Sequence, residues 1–337
     1  MRIIVDGFGG DNAPLEVLKG AVLAHDKLAV DITVVGDKDK IDACAKENKI
    51  DISSLSIHHA DSVMDVCCDP TLILKKYSDS SMAVGLKLLK DGEGDAFVSA
   101  GSTGALVVGA TFIVKRLRGI KRVALATVVP TTEKPVMLLD VGANAECRAD
   151  MLLQFGLMGS AYMNKLMGVD NPRVALANIG TEETKGREVD IEAYKLLSSA
   201  PINFVGNIEG RQVPLGDADV VVTDGFTGNI LLKTYEGMGK FMGISLKKIL
   251  MDGLFSKIGA LFVLKNVNAF KKKMDYKEYG GAPLLGTAKP VFKAHGSSDA
   301  KAFYNAIRQA KIFFENNVIN EFSETLESVK AQTAAEE

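Results

Sequence analysis

Short runs of β-branched and other apolar residues alternate along this chain with segments of helical periodicity. Repeated strand–helix alternation of this kind predicts a mostly parallel sheet with helices on both of its faces. The strand segments are apolar throughout, as expected for strands buried on both faces. The predicted strands cover residues 2–5, 31–35, 55–58, 96–99, 123–129, 136–140, 174–178, 203–206 and 220–223. The predicted helices include residues 15–24, 82–90, 105–117, 151–167 and 191–198.

The linker between the fifth and sixth predicted strands, residues 130–135, is too short to contain a crossover helix. We therefore expect these two strands to form a hairpin or to mark an exchange between two lobes. The sequence predicts a single α/β domain over residues 1–325, with a soft lobe boundary near 130–135. A helix over 302–318 closes this domain, and a frayed tail follows at 326–337.

Composition excludes several classes of protein. The net charge of −2 argues against nucleic acid as the main partner, because nucleic-acid-binding surfaces carry a basic excess. The N-terminal apolar stretch is too short for a signal peptide, and no apolar run approaches the ~20 residues that span a bilayer. We expect a cytoplasmic protein without a metal, whose cysteines are free thiols in a reducing compartment. These are Cys44, Cys67, Cys68 and Cys147.

Polar, glycine-rich loops follow five of the predicted strands, at residues 6–12, 99–104, 140–144, 178–186 and 223–229. The loops after parallel strands gather at one edge of the sheet, where ligands bind. Two of them lead directly into helices, whose N-termini attract anions. One such loop alone is usually a turn with a helix cap. Five on one edge favour an anionic ligand, for which phosphate is the simplest candidate.

Familiar cofactor motifs are absent from these loops. Residues 7–12 break the dinucleotide-binding pattern at its sixth position, and the segment 180–186 is one residue too long for a P-loop. The sequence therefore predicts no cofactor. Lys185 and Lys233 follow glycine-rich loops and are either solvated lysines or phosphate ligands. His295 is either a structural hydrogen-bonding residue or an acid–base group.

Residues 251–277 combine apolar and basic side chains at helical spacing, within a protruding amphipathic segment predicted at about 238–277. Such a helix either packs in a core or dimer interface, or attaches peripherally to an anionic membrane. On the membrane interpretation the residues that face the lipid are Phe255, Lys257, Leu261, Phe262 and Lys265.

The ordered set of loop motifs resembles the phosphate acyltransferase (PlsX) family along almost the whole chain. The departures are Phe8, where a methionine is expected, and Ser102, where an asparagine is expected. The matching segments are DGFGGDNAP (6–14), SDSSM (78–82), SAGSTGAL (99–106), DVGAN (140–144), NIGTEETKG (178–186), GNIE (206–209), DVVVTDGFTGNILLKTYE (219–236), YGGAPLLG (279–286) and HGSSDA (295–300).

This resemblance implies a three-layer α/β/α, Rossmann-like fold related to isopropylmalate dehydrogenases and phosphate acetyltransferases. It implies a homodimer that converts long-chain acyl-[acyl carrier protein] and inorganic phosphate to acyl phosphate and free carrier protein. The product would feed a membrane glycerol-3-phosphate acyltransferase in phospholipid synthesis. The enzyme would then associate peripherally with the inner face of the cell membrane.

A thioester can be attacked directly by phosphate, so no protein nucleophile is required; the protein must orient phosphate and stabilise an oxyanion. We assign catalysis to Lys185, Asn229 and His295. The backbone of residues 225–228 and Lys233 would assist with phosphate, and Asn144 and the amides of 101–104 would bind the oxyanion. The full predicted binding set is Asp6, Gly9, Gly10, Asp11, Asn12, Ser80, Ser81, Gly101, Ser102, Thr103, Gly104, Asn144, Asn178, Glu182, Asp224, Gly225, Thr227, Gly228 and Lys233.

Three alternatives remain at the level of sequence. A phosphate acetyl- or butyryltransferase would use a coenzyme A thioester. A nicotinamide-dependent dehydrogenase of the same fold would need a carboxylate cluster for a divalent metal, and the sequence shows no convincing cluster. A non-catalytic scaffold recruited to membranes would not need so many glycine-rich strand ends.

Overall fold

The computed structural model describes residues 1–274, 280–324 and 327, and over these residues eleven strands form one sheet flanked by nine α-helices. The strands are β1 (Arg2–Asp6), β2 (Asp31–Gly36), β3 (Ser56–His59), β4 (Ala96–Ser99), β5 (Ala124–Val129), β6 (Val136–Leu139), β7 (Arg173–Asn178), β8 (Asn203–Glu209), β9 (Val220–Val222), β10 (Ala282–Leu285) and β11 (Val291–Lys293). The helices are α1 (Leu15–Leu28), α2 (Lys38–Glu47), α3 (Ser81–Asp91), α4 (Thr103–Gly109), α5 (Ala149–Met167), α6 (Glu188–Ser198), α7 (Gly225–Met251), α8 (Gly253–Met274) and α9 (Ala300–Glu315). All nine predicted strands are present, with small shifts at their ends.

The strand order across the sheet is β3-β2-β1-β4-β11-β10-β5-β6-β9-β7-β8. The first five strands in this order are parallel to one another, and so are the last four. Between these blocks, β10 is antiparallel to β11 and to β5, and β5 is antiparallel to β6. The sheet is mostly parallel, as predicted, but its second block runs opposite to its first.

This reversal corrects one prediction, because the five glycine-rich loops do not share a single edge. The loops at 6–12 and 99–104 follow strands of the first block, whereas those at 140–144, 178–186 and 223–229 follow strands of the second. Three successive antiparallel pairings separate the blocks, so their carboxyl ends point in opposite directions. Residues from loops of both blocks nevertheless line one cavity beside the junction strands β10 and β5.

Both faces of the sheet are buried, which confirms the three-layer α/β/α arrangement. In β1, Ile3 and Val5 pack against one helical layer, and Ile4 packs against the other. The first layer contains α1, α5, α6 and α9, and the second contains α3 and α4. Period-two alternation with apolar residues on both faces explains why these strands read as continuous apolar runs.

The predicted hairpin is confirmed, because β5 and β6 pair antiparallel from Ala126–Leu139 to Val129–Val136. The lobe boundary proposed from sequence falls in the turn between these strands. The predicted closing helix is also present as α9. Residues 275–277 of the amphipathic segment lie outside the described residues, as does the predicted tail except Glu327.

The helices α7 and α8 differ from the others in burial. Of the 27 residues of α7, only Gly225 and Gly228 in its first turn are fully buried. In α8 a stripe of exposed apolar side chains follows helical spacing, and Phe255 is 90% exposed. This apolar stripe consists of Leu254, Phe255, Ile258, Leu261 and Phe262. Within the described residues, no helix is long and apolar enough to cross a membrane.

Candidate active site

A cavity of about 270 Å³ lies beside the junction strands and takes residues from both parallel blocks; we call it the central cavity. The first block contributes the beginning of α4 and the segment after β11, and the second contributes the turn after β6 and the first turns of α7. The cavity is lined by Thr103, Leu125, Thr127, Val141, Gly142, Asn229, Leu232, Lys233, Glu236, Gly280, Ala282, Lys293, Ala294, His295 and Gly296.

Two larger cavities adjoin the central cavity on different sides. The glycine-loop cavity, about 490 Å³, shares Thr103, Lys293 and Gly296 with it. The helix cavity, about 540 Å³, lies along α7 and shares Leu232, Lys233, Glu236 and His295 with the central cavity. The glycine-loop cavity is lined by Asp6, Phe8, Gly9, Gly10, Asp11, Val63, Met64, Asp65, Val66, Ser81, Met82, Ala100, Gly101, Ser102, Thr103, Lys293 and Gly296. The helix cavity is lined by Val129, Pro130, Leu232, Lys233, Tyr235, Glu236, Gly237, Gly239, Lys240, Gly243, Phe270, Lys271 and His295.

Asp6, at the end of β1, lines the glycine-loop cavity and connects the elements around it through hydrogen bonds. Its carboxylate accepts hydrogen bonds from Ser81 Oγ and Ser99 Oγ, each 2.6 Å long, and one from the backbone N–H of Phe8 at 3.3 Å. Burial raises the pKa of Asp6, and these hydrogen bonds oppose that shift. Asp6 therefore links β1, β4 and the start of α3, and we assign it a positioning role.

The loop after β1 also contacts the segment after β11. The backbone N–H of Asp11 donates to the carbonyl of Gly296 at 2.8 Å, and Asn12 Nδ2 donates to the carbonyl of Ser298 at 3.2 Å. Gly9 and Gly10 line the same cavity, and a Cβ at Gly9 would lie 2.6 Å from Asp6 Oδ2. These contacts hold the loop after β1 against the HGSSDA segment, an approach that the sequence analysis does not predict.

Some of the predicted serine ligands cap helices, and some line the glycine-loop cavity. Ser80 Oγ accepts from the N–H of Ala83 at 3.3 Å and Ser102 Oγ from that of Ala105 at 3.4 Å, so they cap α3 and α4. Ser102, Gly101 and Thr103 also line the glycine-loop cavity, whereas Ser80 and Gly104 are not among its lining residues.

Asp140, which the sequence analysis did not select, organises the turn after β6. Its carboxylate accepts hydrogen bonds of 2.7 to 3.1 Å from the backbone N–H groups of residues 125, 142, 143 and 144. The side chain of Asn144 donates both to Asp140 at 2.9 Å and to the carbonyl of Val123 at 2.8 Å. Both amide hydrogens of Asn144 are thus used inside the turn, which leaves none for an oxyanion.

Most backbone N–H groups in the first turn of α7 also have hydrogen-bond acceptors within the protein. Gly225 N donates to the carbonyl of Asn144 at 2.7 Å, Thr227 N to Asp224 Oδ1 at 2.7 Å, and Gly228 N to the carbonyl of Asp224 at 2.9 Å. A Cβ at Gly228 would collide with the carbonyl oxygen of Asp140. The backbone of 225–228 therefore packs against the Asp140 turn, and three of its four N–H groups already have acceptors.

Asn229, Lys233 and His295 supply polar side chains to the central cavity, the first two from α7 in the second block and His295 from the segment after β11 in the first. Asn229 Nδ2 donates to the carbonyl of Val141 at 3.0 Å, which directs its amide along the cavity wall. Lys233 pairs with Glu236 at 2.9 Å on the boundary with the helix cavity. The structure thus brings together residues of two motif segments, 219–236 and 295–300, that are far apart in the sequence.

His295 is neutral near pH 7. Burial lowers its pKa, and the charge of Lys233 lowers it further. Its Nδ1 accepts the backbone N–H of Ser297 at 3.2 Å, so the neutral ring carries its proton on Nε2. The imidazole can therefore donate a hydrogen bond from Nε2.

The structure does not place Lys185, Asn178 or Glu182 among the residues that line these three cavities. Lys185 is exposed on the loop after β7, and Asn178 Nδ2 donates to its carbonyl at 3.0 Å. The carbonyl of Glu182 accepts from Asn207 Nδ2 at 2.8 Å. The loop is therefore held by its own polar groups and by Asn207 of β8, and it does not line the three cavities.

Sequence reasoning also missed Lys293, the last residue of β11. Its Nζ donates to the carbonyl of Ala100 at 3.2 Å and to the carbonyl of Ala294. Burial lowers its pKa to about 8, further lowered by the charge of Lys233 and opposed by Asp6 and Asp11. Lys293 lies two residues before His295 in the HGSSDA region, and that proximity was the one available signal.

Cys147 lies near the Asp140 turn but is a poor nucleophile. Burial raises the pKa of its thiol to about 12, and the charges of Asp140 and Asp224 act in the same direction. A thiol with such a pKa is protonated at neutral pH. Over the described part of the chain, no cluster of three or more His, Cys, Asp or Glu residues could hold a metal ion.

The five predicted membrane-facing residues, Phe255, Lys257, Leu261, Phe262 and Lys265, are all exposed on α8. Three of them belong to the apolar stripe; Lys257 lies within its residue range, and Lys265 follows its last residue, Phe262.

Solved structures with the same fold include acyl-transferring enzymes. A phosphotransacetylase from Streptococcus pyogenes aligns with a TM-score of 0.65 at 18% identity, covering 95% of this chain and 94% of that one. A phosphotransacetylase from Staphylococcus aureus aligns with a TM-score of 0.61 at 19% identity, covering 93% and 94%. A 4-hydroxythreonine-4-phosphate dehydrogenase from Klebsiella pneumoniae reaches 0.53 at 13% identity, covering 93% and 99%. These similarities define the fold class.

Sequence comparison defines the family. Residues 1–321 match the model of the family described as "Fatty acid synthesis protein". Phosphate acyltransferases from Thermoanaerobacterium thermosaccharolyticum and Thermoanaerobacter pseudethanolicus are 46% and 45% identical to the chain over 329 and 330 residues. Each alignment covers 98% of this chain and 98% of the relative. The chain belongs to the phosphate acyltransferase (PlsX) family and is an acyltransferase.

Proposed function

We propose that this acyltransferase converts long-chain acyl-[acyl carrier protein] and inorganic phosphate to acyl phosphate and free carrier protein. The observation that carries the proposal is the set of three adjoining cavities, in which the central cavity shares lining residues with each of the other two and contains Asn229, Lys233 and His295. A thioester has the same linear order, with the acyl chain on one side of the carbonyl and the thiol arm on the other. The arrangement fits a reaction at a carbonyl held in the central cavity.

The helix cavity suits the acyl chain. Its walls are mainly apolar, with Val129, Leu232, Tyr235 and Phe270 around it. Three glycines of α7 (Gly237, Gly239 and Gly243) contribute no side chain to the wall. Apolar clefts of this size are typical of small-molecule sites. A long acyl chain would bury apolar surface there, whereas an acetyl group would leave most of the cavity unfilled.

The central cavity suits the phosphate. Lys233 supplies a cation, and Asn229 and the neutral His295 supply hydrogen-bond donors on the same wall. Lys185 would join them only after a movement of the loop after β7. A doubly charged phosphate is strongly favoured by such charge-assisted hydrogen bonds.

Phosphate would attack the carbonyl carbon directly. A phosphate oxygen forms a bond to the carbonyl carbon, the carbon–sulfur bond breaks with its electron pair going to sulfur, and the sulfur gains a proton to give the free thiol of the carrier protein. The amides of Gly101–Gly104 remain candidates for the oxyanion, because residues 101–103 line the glycine-loop cavity and Thr103 lines both cavities. The protonated state of Cys147 is compatible with attack that uses no protein nucleophile.

Hydroxylamine trapping tests the reaction. The protein is mixed with long-chain acyl-[acyl carrier protein] and phosphate, and acyl phosphate is trapped as hydroxamate. We expect hydroxamate that depends on phosphate. The same assay with acyl coenzyme A compares the two donors. Preference for short acyl coenzyme A would favour a phosphate acetyl- or butyryltransferase, and no hydroxamate from either donor would overturn the proposal.

We also propose a homodimer that attaches peripherally to an anionic membrane surface through the apolar stripe of α8. Exposed Leu and Phe side chains beside Lys257 and Lys265 fit a lipid interface, where apolar groups enter and lysines contact head groups. Acyl phosphate is apolar and reactive, so delivery at the inner face of the cell membrane to a membrane glycerol-3-phosphate acyltransferase fits this product. Sedimentation equilibrium measures the oligomeric state.

A further inference from the structure

Lys293 occupies the boundary between the central cavity and the glycine-loop cavity. It ends β11, pairs in register with Ser99 of β4, and lines both cavities. Its ammonium donates to the carbonyl of Ala100, in the glycine-rich loop after β4, and to that of Ala294. An ammonium has three N–H bonds, so one remains beyond these two acceptors, which are its only hydrogen-bond partners among the described residues.

If the thioester lies along the three cavities, Lys293 lies beside the end that carries the sulfur. If the acyl chain lies in the helix cavity and the carbonyl in the central cavity, the thiol arm extends into the glycine-loop cavity. Lys233 and His295 are then on the acyl side, because they line the boundary with the helix cavity. Lys293 is on the sulfur side.

We propose that Lys293 is the general acid of the reaction and gives its proton to the departing sulfur. This rests on the proposed function. As phosphate oxygen bonds to the carbonyl carbon, the carbon–sulfur bond breaks and its electron pair goes to sulfur. The sulfur takes a proton from Lys293 Nζ and leaves as a thiol. The neutral amine then regains a proton from solvent, so no further reactant is needed.

The electrostatic surroundings suit this role. Burial lowers the pKa of Lys293 to about 8, close to the ~8.5 of an alkyl thiol. The charged groups that face it are Asp6 on β1, Asp11 in the following loop and Lys233 on α7; its neighbour His295 is neutral. Proton transfer between groups of matched pKa requires little free energy. The other cation of the central cavity, Lys233, is paired with Glu236 and remains available to bind phosphate.

The leaving group provides the test. Two donors with the same long acyl chain are compared, one a thioester of pantetheine and the other a thioester of 4-nitrothiophenol, whose thiolate leaves without protonation. We expect Lys293→Met to lower the phosphate-dependent rate about 100-fold with the pantetheine donor, as general acids typically contribute. With the aryl donor we expect a loss of several-fold at most. Because both rates come from the same preparation, their ratio does not depend on how much of the variant is folded.

Lys289→Met is the matched control, because Lys289 also donates to a main-chain carbonyl, that of Leu89 at 2.7 Å, but lies outside the three cavities. It should leave both rates unchanged. The wild-type rate with the pantetheine donor should fall as pH rises through about 8, and the aryl donor should lack this decline. Equal losses with both donors, or no loss with either, would overturn the proposal. No acyl phosphate from the wild-type protein with either donor would instead refute the proposed function.

Discussion

Arg187 donates a 2.7 Å hydrogen bond from its guanidinium to the carboxylate of Asp224, the residue that caps α7. The other carboxylate oxygen of Asp224 accepts the N–H of Thr227 at 2.7 Å. Arg187 also pairs with Asp190 at 2.9 Å in the first turn of α6. A single arginine therefore ties the loop after β7 to the helix that carries Asn229 and Lys233.

Replacing Arg187 by Ala should lower the free energy of unfolding by about 1–2 kcal/mol at pH 7. The variant leaves the buried Asp224 carboxylate without its ion pair, while the exposure of Arg187 limits the loss. Burial opposes ionisation of Asp224, but hydrogen bonds from Thr227 and Arg187 outweigh burial and lower its pKa below 3.8. Urea unfolding at a series of pH values measures the difference.

The sign of the pH dependence follows from this lowered pKa. The stabilisation by Arg187 is present above the unfolded-state pKa near 3.8 and is lost as pH falls through the lower folded-state value. The two proteins should therefore converge in strong acid. Arg211→Ala is the control, because Arg211 pairs with Glu209 on the exposed surface and should contribute little. An Arg187 effect no larger than the Arg211 effect would contradict the role given to the pair.

Lys185 was predicted from sequence as a phosphate ligand, whereas its side chain is exposed outside the central cavity. If the loop after β7 moves to bring Lys185 to phosphate, Lys185→Ala should raise the KM for phosphate about 10-fold, the effect of one charged hydrogen bond. The midpoint of thermal unfolding should stay unchanged. Steady-state kinetics with varied phosphate measure the effect, and Lys195→Ala on α6 is a surface control. An unchanged KM would remove Lys185 from the site.

The strands and the β5–β6 hairpin could be predicted, because each depends on local pattern. The reversal of the second block could not. It depends on β10 and β11, which are four and three residues long and pair with strands far away in sequence. Local periodicity can identify a strand, but it does not give the direction of pairing with partners that are distant in sequence.

The polar side chains of the glycine-rich loops show a second limit of prediction from sequence. Asn144 and Asp224 have the right chemistry for substrate, but the fold uses them to satisfy backbone groups and a cap. Lys293 ends a strand that the sequence analysis did not predict, and its place in the site depends on a contact with Ala100, which becomes a neighbour only after folding. Residue type predicts which groups can bind a ligand, whereas the partners that compete for them are set by tertiary structure.

Gly243 in the wall of the helix cavity should control acyl chain length. A Cβ at this position meets nothing within 4 Å, so Gly243→Leu should fill part of the cavity without a clash. Replacing a helical glycine also tends to stabilise the helix, by roughly 0.5–1 kcal/mol for alanine. We expect activity with the longest acyl donors to fall about 10-fold or more while shorter donors are retained. Rates across a series of acyl chain lengths measure the shift.

Gly259→Leu is the matched control for chain length, because Gly259 is also helical and open but does not line the helix cavity. It should leave the preference unchanged. If Gly243→Leu reduced activity equally for every chain length, the acyl chain would have to lie elsewhere.

The apolar stripe of α8 should determine attachment to membranes. Phe255 and Phe262 are 90% and 85% exposed, and replacing both by Ser removes the two largest apolar groups of the stripe. Burying one phenylalanine contributes about 1.5–3 kcal/mol, so the double variant should bind anionic vesicles at least ~100-fold more weakly.

Vesicle flotation measures binding, and Lys257→Glu with Lys265→Glu should weaken binding to anionic vesicles but not to neutral ones. Phe112→Ser, at an exposed position outside α8, should have no effect. Activity with soluble donors should be unchanged in all of these variants, because none of their residues lines the central cavity. If the double serine variant instead floated like wild type while sedimentation showed a shift from dimer to monomer, the stripe would be a subunit interface rather than a membrane contact.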